Sequence, residues 1–155
     1  MQNTHKRGTL RMLHEALVDI VGVINRPQND AILLREAGVS LERALFPPLV
    51  VIQRRGPIGV GELADRVGRD YTTVSRQVAK LESLGLVVRR EGKADRRVTE
   101  TVVTDKGQAM SDALDAARER LARIALADWS EHDLRELARL LRRFAHNLMH
   151  ELGDR

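Results

Sequence analysis

The stretch GRDYTTVSRQVAKLESLG, residues 68–85, superimposes an apolar and a polar pattern on one helical period. At roughly 100° per residue, Tyr71, Val74, Val78 and Leu81 fall on one side. Arg69, Thr72, Thr73, Arg76, Gln77 and Lys80 fall on nearly the opposite one. The spacing predicts an amphipathic helix capped by Asp70 and running to about Leu84. Solvated helix faces usually alternate Glu and Lys four apart, yet no acid stands between Thr72 and Ala79. Hydroxyls, an amide and cations within three turns are instead the groups that pair with base edges and phosphates. Arg suits guanine, Gln suits adenine, and Thr suits either or a thymine methyl.

The neighbouring segments sharpen this reading. GPIGVGELADRVG places a short helix around Gly61 to Val67, which Gly68 can end in a left-handed cap. Ala64 is small where two helices would cross, Gly68 lies four residues on, and Val74 lies ten beyond Ala64 on the inward face. That spacing suits a tight helix-turn-helix crossing. After Gly85, LVVRR and RRVTETVV are short, β-branched runs separated by the turn-prone EGKAD, and they read as a β-hairpin. Lys93, Arg96 and Arg97 sit around its tip. A basic loop beside such a helix can reach the adjacent minor groove.

Charge follows the same map. Residues 66 to 97 hold nine basic and four acidic residues, a local +5 within a chain whose formal net charge is +4, so the remainder sums to −1. The excess lies where a polyanion would be met.

Outside this centre the chain reads as helices. Leu10, Leu13, Leu17, Ile20 and Ile24 form a seam three and four apart that ends before Pro27. NDAILLREAG stops at Gly38, and Ser40 is positioned to cap a helix through LERALFPPLVVIQRR, with a kink or restart expected at Pro47 and Pro48. Thr104 with Asp105 opens a long helix, and Ser130 with Glu131 and Asp133 opens a last one, whose Leu134, Leu137, Leu141, Phe144 and Leu148 repeat the three-four seam. Each terminal seam needs cover, and a second copy of the chain supplies it most simply. We therefore expect a two-fold homodimer.

Several functions are excluded or disfavoured. The 155 residues are 43% apolar, enough for a core, and no run of eighteen apolar residues or signal peptide is evident, so a cytoplasmic location is expected. The absence of Cys removes disulfides, thiolate catalysis and thiol-based sensing. GPIGVG lacks the Gly-Lys-Ser/Thr ending of a phosphate loop, and Ser75 has no His in local reach, so no enzyme is expected. Trp129 reads as a packing anchor, and aromatics at 3% argue against stacking on single strands. His146 and His150 stand four apart, but Asn147 occupies the place of a zinc-protease Glu. Surface histidines are the expected reading, with no metal and no cofactor. A metal-responsive switch completed by Glu151, or by His14 and Glu15, is one alternative, and a winged-helix protein-interaction module is another.

GELADRVGRDYTTVSRQVAKLESLGLVVR, the wing EGKADRRV and the following VTDKG resemble the MarR family of bacterial winged helix-turn-helix transcription regulators, densely from about Leu49 to Gly107. The resemblance implies a mainly α fold. Residues 1–38 and 105–155 would be dimerisation helices, and residues 39–104 the winged DNA-binding lobe with its two-stranded wing. It also implies a homodimeric repressor of a pseudo-palindromic operator, relieved in many relatives by small aromatic acids or phenols, although no residue here marks such an effector cleft. In the wing, Asp95-Arg96-Arg97 matches the family's Asp-x-Arg. Arg97 would then be the minor-groove finger, Asp95 its orienting partner and Arg96 a phosphate contact. The Pro47-Pro48 pair departs from the family's usually straight third helix.

Overall fold

The computed structural model describes residues 2–153, with side chains from residue 5 to residue 152. The elements run in the order α1 (Gln2–Ile24), α2 (Pro27–Ala37), a 3-10 turn (Arg43–Leu45), α3 (Phe46–Arg55), α4 (Val60–Val67), α5 (Tyr71–Ser83), β1 (Val87–Glu91), β2 (Thr99–Val103), α6 (Asp105–Ala125) and α7 (Glu131–Gly153). The chain divides into two compact units, one reaching to Arg118 and one starting at Glu119.

In the first unit, α3, α4 and α5 pack with the hairpin around Leu49, Ile52, Ile58, Leu63, Val74, Val78, Leu81 and Leu86, all at most 1% exposed. Burying each such side chain stabilises the lobe by about 1.5–3 kcal/mol before chain entropy is counted. Ala64, 4% exposed, allows the close approach of α4 to α5, and Gly68 at φ 68 turns the chain between them in the left-handed region. The hairpin pairs β1 with β2 in antiparallel register from Val87↔Val103 to Glu91↔Thr99. Ile58 adds a bridge to Thr101 on the other edge of β2. Gly38, at φ 66, ends α2 as the sequence indicated.

Two local expectations need correction. Ser40 caps no helix: the 3-10 turn follows Glu42, and α3 begins at Phe46 with Pro47 and Pro48 in its first turn. Proline is suited to that turn because its missing N–H is one of the donors a helix start leaves unpaired. The prolines therefore restart the helix rather than kink it, and α3 has no side-chain cap. The second strand starts at Thr99 rather than Arg96. Gly92 N donates to Val98 O at 2.8 Å and Val98 N donates to Asp95 O at 3.1 Å, so residues 93–97 close as a loop.

The apolar seam of α1 stays largely in solvent, with Leu10 55%, Ile20 49% and Ile24 64% exposed. In the second unit, Ser130 Oγ accepts from Asp133 N at 3.1 Å and opens α7. Leu137, Leu141 and Leu148 on that helix are exposed, while Leu134 and Phe144 are half-buried. No described helix is long and apolar enough to cross a membrane.

Candidate nucleic-acid interface

Asp70 starts α5. One of its carboxylate oxygens accepts from Thr73 N at 2.9 Å and the other from the Thr73 hydroxyl at 2.6 Å. The Thr73 hydroxyl bond, then its backbone bond, hold the Asp70 carboxyl below the usual carboxylate range. From this start, the helical period buries Val74, Val78 and Leu81 completely. Arg69, Thr72, Arg76 and Lys80 are exposed. Arg69, Arg76 and Lys80 make no ion pair with any described residue.

The other members of the predicted face are placed differently. Thr73 and Gln77 are half-buried, and Gln77 lies on the flank that turns toward the start of α3. The Thr73 hydroxyl is committed to the cap. Gln77 lines a cavity of about 490 Å³ with Asn25, Arg43, Pro47, Pro48 and Arg69. Its Oε1 is buried without a hydrogen-bond donor among the described residues. Tyr71, expected among the apolar anchors, is 61% exposed. As the first residue of α5 it lies past the cover that α4 gives Val74, and it faces the wing instead.

The wing tip is built around one carboxylate. Asp95 Oδ1 accepts from Arg97 N at 3.0 Å and from Arg97 Nε at 3.1 Å, while Oδ2 accepts from Arg97 Nη2 at 3.2 Å. This fork, through the Arg97 side chain first and its backbone second, holds the Asp95 carboxyl below its ordinary value. The Arg97 side chain is nonetheless 91% exposed. Lys93 and Arg96 are exposed beside it. Gly92 is buried in the turn, where a Cβ would stand 2.7 Å from Asp95 O.

Between wing and helix lies a cavity of about 670 Å³ lined by Glu62, Tyr71, Ser75, Arg89, Arg97 and Glu100 among others. Arg89 is held from behind, its N donating to Glu82 Oε2 at 3.2 Å and its Nε 3.8 Å from that oxygen. The sequence reading did not select Tyr71 or Arg89 for this surface. Strand alternation carried the signal for Arg89, which stands two residues after buried Val87 and so shares its face.

The histidine pair offers less. His150 Nδ1 lies 3.9 Å from Glu151 Oε1, and among the described residues no three His, Asp or Glu side chains gather as a metal site.

Comparisons with known proteins agree with the geometry. The family model described as HVO_A0114 matches residues 49–103. The HTH-type transcriptional regulator YxaD of Bacillus subtilis (strain 168) is 32% identical over 104 residues, 67% of this chain and 73% of that protein. A MarR family protein from Bacillus stearothermophilus superposes at TM-score 0.79 with 21% identity, over 92% of this chain and 97% of that one. The crystal structure of MarR superposes at TM-score 0.73 with 25% identity, over 91% and 94% of the two chains. With its helix-turn-helix, its two-stranded wing and these relatives, the chain belongs to the MarR family of winged helix-turn-helix transcription regulators.

Proposed function

We propose that the protein is a homodimeric, cytoplasmic repressor that binds a pseudo-palindromic duplex operator. α5 of each copy would lie in successive major grooves about 34 Å apart. In this reading residues 39–104 form the DNA-binding lobe, and residues 1–38 and 105–155 supply the dimerisation helices. One observation carries the DNA-binding part. Several helical arginines elsewhere pair with acids three or four residues away: Arg66 with Glu62, Arg118 with Asp115, Arg135 with Glu131 and Arg139 with Glu136. On α5, Arg76 and Lys80 have no acid three or four residues away, Arg69 just ahead of the helix makes no salt bridge with any described residue, and the helix is anchored by fully buried residues. Cations held on a rigid helix without internal counter-charges suit an external polyanion.

Thr72 and Arg76 then face base edges, with Thr73 and Gln77 at the margin of the contact. Arg69, Lys80, Lys93 and Arg96 meet phosphates, and Arg97, held by Asp95, enters the minor groove. The exposed seams of α1 and α7 support the homodimer, because a second copy would remove both from water. A small ligand that favours one spacing of the two lobes would relieve repression.

The test is a comparison of Arg76→Ala with Lys80→Ala on duplexes selected from a random pool. Arg76→Ala relaxes preference at one base position at a cost of about 1–3 kcal/mol, and Lys80→Ala weakens all sequences evenly. Equal losses on selected and random duplex for Arg76→Ala remove its assigned role. A wild-type affinity that does not depend on salt removes the DNA-binding reading itself.

A further inference from the structure

Any helix leaves its last carbonyls without intrahelical donors. At the end of α5 the carbonyls of Lys80, Leu81 and Glu82 accept from the N–H groups of Leu84, Leu86 and Gly85 respectively. The three carbonyls from the capping residue Leu84 onward are claimed by residues about twenty positions further along the chain. Lys106 Nζ donates to Leu84 O at 2.9 Å, Thr104 Oγ1 to Gly85 O at 2.6 Å, and Thr104 N to Leu86 O at 3.0 Å. Two glycines permit the approach. Gly85, at φ 74, turns the chain out of the helix, and a Cβ on Gly107 would stand 2.0 Å from Leu86 O. Thr104 also accepts from Gly107 N at 3.1 Å, so the same hydroxyl opens α6 and closes α5. The Lys106 ammonium, exposed on its outer side, sits at the negative end of the α5 dipole and has no carboxylate partner among the described residues.

We propose that Lys106, together with Thr104, is a positioning residue for DNA readout, fastening the C-terminal end of α5 so that its base-facing side chains keep one fixed aim. The inference rests on the reading that α5 contacts duplex DNA. Asp70 fixes the other end of the helix, and Thr72, Arg76 and Lys80 lie between the two fastenings. Buried Val74, Val78 and Leu81 hold the helix to the lobe, and the two end fastenings set the fine aim of its outer face. Discrimination between base edges fails with misplacements of about half an ångström, whereas attraction to phosphates tolerates them. The clamp therefore acts on sequence preference and leaves general affinity for duplex intact.

The experiment uses the full chain, a duplex selected by the wild type from a randomised pool, a random-sequence duplex of equal length, and a salt series. Lys106→Met is expected to reduce the selected-to-random affinity ratio by about fivefold while leaving the salt slope and the Tm near wild type. Lys106→Arg, which keeps a cationic donor, and Thr104→Ser, which keeps the hydroxyl, restore most of the ratio. An unchanged ratio in Lys106→Met overturns the proposal. So does a salt slope lower by about one, which makes Lys106 a phosphate contact. A parallel loss on both duplexes that follows a lowered Tm overturns it too, because the role is then structural only. Arg76→Ala in the same assay separates the two levels. If Arg76→Ala loses preference and Lys106→Met keeps it, the clamp alone fails. If the wild type shows no preference at all, the DNA reading fails and the clamp with it.

Discussion

The same substitution at two helical glycines should move stability in opposite directions. Gly61 is the second residue of α4 and Gly107 the third of α6. Replacing either by Ala improves helix propensity by at most about 1 kcal/mol. At Gly61 nothing lies within 4 Å of the new methyl group. Gly61→Ala should therefore stabilise the protein by about 0.5–1 kcal/mol. At Gly107 the Cβ would meet Leu86 O at 2.0 Å and Val103 Cγ2 at 2.7 Å, against ordinary contacts from 3.4 Å, so the first turn of α6 must retreat by about 1.4 Å. Backbone cannot swing aside as a flexible side chain can. The retreat breaks the bonds from Thr104 to Leu86 O and Gly85 O, each worth about 1 kcal/mol. Overpacking adds about 1–3 kcal/mol. Set against the propensity gain, Gly107→Ala should lose about 2–4 kcal/mol, which lowers Tm by roughly 5–15 °C in a chain of this size. Thermal and urea unfolding of both variants at one protein concentration measure the pair. A Gly107→Ala protein as stable as wild type would show that α6 does not press on the Leu86 carbonyl, and the reasoning about this junction would collapse.

Two further outcomes can be checked directly. The Arg97 fork lowers the Asp95 pKa, so its stabilising effect is complete above the unfolded value and fades as pH falls through the lower folded value. An NMR titration should place the Asp95 midpoint below the ordinary carboxylate range in wild type and move it part of the way back in Arg97→Ala, which keeps the backbone bond; an unshifted wild-type Asp95 contradicts the fork. Leu141→Glu or Leu13→Glu, each on an exposed terminal seam, should yield monomers by light scattering and abolish binding to a two-half-site duplex. A dimer that survives both refutes the seams as interface.

Much of the lobe was legible because short-range chemistry fixed it. Gly68 and Asp70 punctuate the turn whatever packs around them, one by tolerating a left-handed backbone and the other by capping. The Asp95–Arg97 fork also spans only two positions, and the family resemblance named it in advance. What escaped depended on neighbours far along the chain. Ser40 resembles a cap in sequence, yet the helix begins only at Phe46, with the prolines in its first turn, too far along the chain for Ser40 to reach. A helical period gives Gln77 a direction but does not disclose that Arg43 and Pro47 crowd that flank. Tyr71 shares the period of Val74, but at the helix start nothing covers it. Arg89 acquires its place only when Glu82, seven residues earlier and on another element, is folded beside it.

The wing carries its own counter-ion, and this divides capture from retention. Because Asp95 offsets the Arg97 charge within hydrogen-bonding distance, the field felt from afar at the tip comes mainly from Lys93 and Arg96. On the proposed reading, those side chains would govern how often a passing duplex is caught, and how steeply the encounter rate falls as salt rises. Arg97 contributes little to that pull. Held by the Asp95 fork, it would lose little freedom on the proposed insertion, and so would lengthen the dwell time of a complex once formed.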